Sequence, residues 1–397
     1  MGIAKRVSIH KLLFYTSYGM YLFFSIMASS FFYKYIKDNG SMLNMILCIC
    51  IILMVVDEVK KRVFTYKEIV AVCVLGVMVI LLLLSKSTLG YNSLIYILMY
   101  VFCAREISFD EIAKFSICLS LIAFAIIVLS ALCGIIPNIK IDAQKGIVYY
   151  LGFRYGLYPA MIISNITMLY LYLKRKSIKI KELLVLFCVN YIIFKLTVSR
   201  LTFFIVILLL SLTLLIKIFP SLLTKRKVIY RCLVFSFLGM FLFSIYIIAN
   251  YESDISWMSF INDITESRIQ LQNTIISQYD LDILGRNILW SGNGLDAYGN
   301  RSTAPYMYAD TMYINMSLKY GLLETVLIIA VITGALSIFY HEENYYMLII
   351  MSLIAAHGFI DDLLQYLYYN TFWIAVGIVI KNKVYKHRVK RWLEKKD

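Results

Sequence analysis

Apolar residues in this chain run in blocks of roughly the length that crosses a ~30 Å hydrocarbon core, separated by shorter polar stretches. Such blocks fall near 12–33, 41–56, 68–85, 88–103, 115–136, 157–173, 183–199, 201–219, 232–250, 311–339, 345–360 and 364–380. The pattern predicts about twelve transmembrane helices in one all-α, polytopic membrane domain covering 1–397, with no internal repeat. The first block follows Lys5, Arg6 and Lys11 like a signal peptide, but no small-x-small cleavage site leads into a soluble domain, so a retained helix is expected.

Two segments interrupt the rhythm, at 138–156 and 251–310. Loops longer than ~15 residues in a compact protein are usually functional or disordered. The second carries Trp257, Phe260, Leu271, Ile275, Ile276, Leu281, Leu284 and Trp290, too many apolar groups for a linker. Its spacing from Thr265 to Tyr279 predicts an amphipathic helix that lies on a membrane or caps a cavity.

Composition sharpens this. The chain is 61% hydrophobic and 16% charged, with a mean hydropathy of +0.77. A soluble enzyme averages about 25% charged residues, so the bilayer must be the main solvent. The net charge of +15 would otherwise suggest nucleic acid, but 27 of the 39 Lys and Arg fall in alternate connections, including Lys60-Lys61-Arg62, Arg105, Lys174-Arg175-Lys176, Lys225-Arg226-Lys227 and the tail after Lys381. That asymmetry predicts cytoplasmic N- and C-termini and attraction to anionic lipid, with no nucleic-acid partner. The eight cysteines form no CxxC or Cys/His cluster and read as small core hydrophobes. Tyrosines concentrate at block ends, as at Tyr149-Tyr150, Tyr345-Tyr346 and Tyr366 to Tyr369, and are expected as interfacial anchors.

Chemistry is expected on the face opposite the basic connections. Arg154, Arg200, Arg268, Arg286 and Arg301 lie there or at block mouths. Arg200, between two apolar blocks in Ser199-Arg200-Leu201-Thr202, needs an anionic partner or a wet cavity, or else it snorkels from a short hairpin to headgroups. A phosphate matches the planar guanidinium fork. Arg154 is either a ligand or a loop cation beside an aromatic anchor, and Arg268 either a ligand or the partner of a neighbouring carboxylate. Gly285-Arg286 precedes the flexible Ser291-Gly292-Asn293-Gly294-Leu295. Asp296, Asp310 and Asp361-Asp362 are the acidic candidates. Asp310 is either a helix N-cap or a general base, and His357 with Asp361, four apart, share a face on a continuing helix as a relay pair or stand apart. The DxD-like Asp280-Leu281-Asp282 reads as a solvated pair, and no motif calls for a metal or cofactor.

In order along the chain, these features resemble the Wzy-type bacterial polysaccharide polymerases and, more distantly, the O-antigen ligases. The resemblance rests on Gly152-Phe153-Arg154 with Asn165, Ser199-Arg200, Glu266-Ser267-Arg268-Ile269 with Leu284-Gly285, Asp310-Thr311-x-Tyr313 with Tyr320-Gly321-Leu322, and His357-Gly358-Phe359-Ile360-Asp361 before Tyr369-Asn370-Thr371-Phe372. It spans about 150 to 373. The ligases carry His where this chain has Asp310, which favours a polymerase. Asn370-Thr371 replaces a usual Asn-Pro, and Asp361-Asp362 a single Glu.

The resemblance implies a GT-C-like fold and transfer of a growing glycan from undecaprenyl pyrophosphate onto the next lipid-linked repeat unit, at the outer face of the bacterial cytoplasmic membrane. An O-antigen-ligase-like transferase and a lipid-linked oligosaccharide flippase are the alternatives. On this reading Arg154, Arg200, Arg268 and Arg286 hold pyrophosphate without metal, Asp310 is the base with His357 and Asp361 as alternatives, and Asn165, Tyr313 and Asn315 contact sugar. Membrane lipid and a chain-length regulator protein are the expected partners.

Overall fold

The computed structural model describes residues 2–38, 42–59, 64–85, 93–143, 146–222, 227–378 and 380. It is 73% helix and 3% strand, an all-α architecture of the kind expected for a membrane-embedded chain. Among the described residues, five helices are long and apolar enough to cross a bilayer: Met42–Val59, Tyr66–Leu84, Phe109–Leu132, Arg200–Ile218 and Leu322–His341. The pair Lys227–Leu233 and Ser236–Ala249, bent by 54°, makes a sixth if counted as one span.

Several of the twelve expected blocks take other forms. The block 311–339 is cut at Gly321 into Met312–Tyr320 and Leu322–His341. The block 364–380 contains two 3-10 turns, Asp362–Gln365 and Thr371–Ile374, and the short helix Ala375–Ile378. The block 88–103 gives an 11-residue helix, Ser93–Cys103, with residues 88–92 outside the described residues. The first block lies within Gly2–Ala28, a 27-residue helix. The basic runs Lys60-Lys61-Arg62, Lys225-Arg226 and the tail after Lys381 also fall outside the described residues.

Apolar burial explains the packing. Phe14, Tyr18, Leu22 and Ile26 recur at helical spacing along Gly2–Ala28 and are fully buried. With Cys50, Tyr100, Ile112, Ala123, Ile127 and Leu169 they belong to one core cluster running through the bundle. The other flanks of Met42–Val59, Tyr66–Leu84 and Ile180–Thr197 expose Val, Ile and Leu, as a lipid-facing surface should. The cysteines follow suit: all are free thiols, and only Cys50 and Cys103 are buried, because a bilayer accepts the other six on the perimeter. Arg105, expected as a loop cation, is instead withdrawn into the bundle. It pairs with Glu58 at 2.7 Å and Glu68 at 2.8 Å and lies over the Phe102 ring.

At one end of the bundle the two interrupting segments fold against the helices. The first forms an antiparallel hairpin, Lys140–Ala143 with Gly146–Tyr149, which the all-helical expectation missed. The second contains Ser256–Ile264 and Arg268–Tyr279, so the expected helix from Thr265 begins three residues later, after a turn. A second core cluster of Ile247, Ile248, Met258, Ile269, Ile275 and Ile314, among others, ties this segment down.

The break at Gly321 is what the second segment docks onto. The backbone N–H of Arg286 donates to Leu318 O at 2.7 Å, and that of Leu322 to Asp282 O at 3.0 Å. Gly285 and Gly321 face each other there at φ +75° and +99°. A Cβ on Gly285 would sit 2.7 Å from Lys319 O, and one on Gly321 would fall on Ile283 O. Only glycine tolerates both the left-handed backbone and the approach. Gly321→Ala is expected to destabilise the protein by about 2 kcal/mol or more, since strain and overlap add. Thermal unfolding of the detergent-purified variant would check this, and an unchanged midpoint would contradict the docking.

Candidate functional site

Each candidate side chain is delivered by a local backbone device. Leu151 and Gly152 both have positive φ, and a Cβ on Gly152 would meet Ala131 Cβ at 2.9 Å. This kink starts a bridge in which Phe31 N–H donates to Gly152 O and Arg154 N–H to Ser29 O, fixing Arg154 beside the end of the first helix. Arg154 donates through Nη2 to Ala28 O at 2.9 Å and through Nη1 to Leu295 O at 3.5 Å, and stacks on Tyr33 at 4.2 Å. Its buried Nε has no partner among the described residues.

Glu266 and Ser267 are consecutive non-glycine residues in the left-handed region, a costly conformation that clusters at functional sites. They turn the chain so that Arg268 opens its helix. Gln272, fully buried, locks that helix in place by accepting from Thr311 N–H at 3.2 Å and donating to Arg268 O at 3.1 Å.

The Arg268 side chain then enters a carboxylate cluster. Its Nη1 donates to Ile360 O, and its Nε lies 3.9 Å from Asp310 Oδ2. Asp310 accepts from Tyr306 Oη with both oxygens, at 2.9 and 2.8 Å. It is not the cap of the following helix, since Thr311 occupies the N-cap position. Asp361 accepts from Leu363 N–H at 2.9 Å, and Asp362 from Tyr308 Oη at 2.7 Å and Gln365 Nε2 at 3.0 Å.

Burial dominates the electrostatics. It pushes the Asp310 carboxyl above its ordinary value, against the opposing pull of Arg268 and the Tyr306 hydrogen bond. Asp361 and Asp362 are raised for the same reason, Asp362 further by the charge of its neighbour. Burial alone would lower Arg268, yet Asp310 and then Asp361 outweigh it and hold the guanidinium firmly protonated.

A cavity of about 440 Å³ opens onto this cluster, lined by Arg154, Arg268, Arg301, Asp310, Asp361 and Asp362. The glycine-rich 291–295 strip forms part of its wall, as does Asp296, whose carboxylate is taken up by Tyr298 and Asn300 backbone N–H groups. A second cavity of about 350 Å³ shares Arg268, Arg301 and Asp361 with the first and is lined on its far side by Arg200. Arg200 starts the helix Arg200–Ile218 after a tight turn through Val198 and is exposed.

Four expected site residues are placed elsewhere. Arg286 lines neither cavity, because its backbone is committed to the glycine docking and its Nε is buried without a partner. Asn165 donates to Thr371 Oγ1 at 3.0 Å and accepts from Thr371 N–H at 3.2 Å. Tyr313 donates to Ala355 O at 2.8 Å, and Asn315 donates to Ala309 O and accepts from Gln365. These three satisfy buried polar groups between elements instead of facing a ligand.

His357 is also withdrawn. It is fully buried with neither ring nitrogen partnered, and its helix stops at Gly358. Asp361 therefore sits on extended chain, so the pair shares no helical face.

Sequence reasoning assigned no role to Arg301, Tyr306 or Tyr308. Tyr306 stands four residues before Asp310 on irregular chain, so no periodicity marks it. Nor are Tyr366 and Tyr368 plain interfacial anchors, since both line an inner cavity. Among the described residues no group of three or more His, Cys, Asp or Glu is placed to hold a metal ion.

No family model, curated protein or solved structure matches this chain. Arg268→Gln is expected to raise the titration midpoint of Asp310, since a nearby cation favours the carboxylate. Difference infrared spectroscopy of the carboxyl stretch, with Asp310→Asn to assign the band, measures this. A midpoint unchanged in Arg268→Gln would show that the pair does not interact.

Proposed function

We propose that this chain is a Wzy-type polysaccharide polymerase of the GT-C-like kind, acting in the bacterial cytoplasmic membrane with its termini in the cytoplasm. The observation that carries this reading is one cavity in which Arg154, Arg268 and Arg301 meet Asp310, Asp361 and Asp362. Glycosyl transfer from a lipid pyrophosphate needs that combination: cations for the charge that develops on the leaving group, and a carboxylate for the acceptor proton.

In the proposed step the acceptor hydroxyl of one lipid-linked repeat unit attacks C1 of the growing glycan on undecaprenyl pyrophosphate. The new O–C1 bond forms as the C1–O bond to pyrophosphate breaks. Asp310 takes the hydroxyl proton, and the arginines neutralise the departing pyrophosphate. Direct displacement needs one base and no covalent nucleophile. The raised carboxyl pKa of Asp310 suits a base better than an ordinary aspartate, because proton affinity nearer neutral pH increases its driving force. Arg200 adds a further cation to the lining of the second cavity. Membrane lipid surrounds the site, and a chain-length regulator protein completes the set of proposed partners.

The test is turnover of a purified lipid-pyrophosphate-linked repeat unit in nanodiscs, read as a glycan ladder. Wild type is expected to give the ladder, and Asp310→Asn to lose about 10²–10⁴-fold in rate with its fold intact. Arg268→Ala should also lose the ladder. Transbilayer movement of the lipid without a ladder would replace the polymerase reading with a flippase, and transfer of a single finished chain with a ligase.

A further inference from the structure

Beside the carboxylate cavity lies a third one, of about 270 Å³, whose walls carry six tyrosines: Tyr21, Tyr33, Tyr96, Tyr158, Tyr366 and Tyr368. Arg154 and Tyr158 line both cavities, so the two adjoin at the guanidinium. The rings are ordered against one another. Tyr21 stacks on Tyr96 at 5.5 Å, joining the helices Gly2–Ala28 and Ser93–Cys103, and Tyr366 stacks on Tyr368 at 5.7 Å. Tyr33 is held under the Arg154 guanidinium.

We propose that this cavity is a pyranose subsite, holding one sugar of the lipid-linked glycan next to the reacting centre; the proposal rests on the polymerase reading above and adds to it where part of the repeat unit is recognised. Its volume falls just under the ~300–1,000 Å³ typical of sites for drug-sized ligands, the scale of a single ring. The lining decides the ligand class. Tyrosine presents an apolar face and a polar tip. A pyranose matches both, with C–H faces that lie on aromatic rings and hydroxyls that exchange hydrogen bonds with phenols. An isoprenoid tail would satisfy the faces and strand the hydroxyls in hydrocarbon, and although Leu43 and Leu47 also line the cavity, tyrosines make up half of its lining residues. Arg154 fits the same assignment. Its side chain lines both cavities, so its guanidinium can donate to a sugar oxygen where they adjoin.

The experiment is saturation-transfer NMR on the full chain in nanodiscs, with methyl α- and β-pyranosides of glucose, galactose, N-acetylglucosamine and glucuronate as sugar probes and farnesyl diphosphate as the lipid probe. At least one pyranoside is expected to receive saturation on its ring C–H protons. That signal should fall at least fivefold in Tyr366→Ala and two- to threefold in Tyr368→Phe, which keeps the ring and removes only the hydroxyl. No transfer to any pyranoside, transfer unchanged in both variants, or displacement of the sugar by the farnesyl chain would overturn the subsite.

The two readings fail separately in the ladder assay. Sugar binding that depends on Tyr366 without any wild-type ladder removes the polymerase and leaves the subsite. A wild-type ladder that Tyr366→Ala extends at the same rate removes the subsite and leaves the polymerase.

Discussion

A guanidinium drawn out of water must find negative charge, and Arg268 finds it in Asp310 and Asp361. The attraction acts in both directions. The arginine keeps buried carboxylates from being driven wholly to their neutral form, and they keep it charged where burial alone would disfavour that. Tyr306 satisfies both oxygens of Asp310 from the remaining side. Removing Arg268 would leave the carboxylates, and removing both Asp310 and Asp361 the guanidinium, as buried charge without its counterpart.

Assembly depends on backbone contacts that no side chain mediates. The 251–310 segment, tied down by the cluster of Ile247, Ile269, Ile275 and Ile314, is fixed further by the docking of 282–286 on the break at Gly321, where two glycines allow main chain to meet main chain. The same break ends Met312–Tyr320, and Asp310 stands just before the opposite end of that helix, beside the cavity. A continuous helix through 321 would have no exposed peptide groups for the segment to pair with.

Polar groups near the site divide into those consumed by the fold and those left facing space. Asn165 and Asn315 are spent on Thr371 and Gln365, which holds the irregular 359–374 stretch against the helices, and Tyr313 is spent on Ala355 in the helix before it. That stretch in turn carries Asp361, Asp362, Tyr366 and Tyr368 to the cavity walls. Turns at Asp362–Gln365 place these four side chains along two adjoining spaces.

The sequence by itself determined the solvent and the class of structure. Apolar blocks near bilayer length and a 16% charged fraction leave an all-helical membrane chain as the consistent outcome, because backbone polar groups in lipid must be satisfied within helices. It also marked Arg154, Arg200, Arg268, Asp310 and Asp361, since charge beside apolar blocks is expensive wherever it occurs. Hydropathy reads only average polarity, so it ran straight through Gly321 and counted the turns of 362–374 as a span. Which marked residues meet was decided by tertiary structure. The meeting is set by left-handed turns at Gly152 and Ser267 and by contacts between residues far apart in the chain, and a one-dimensional pattern carries neither. For the same reason Arg286 and His357, chemically as eligible as their neighbours, were withdrawn from the cavity, while Arg301, Tyr306 and Tyr308 were brought to it.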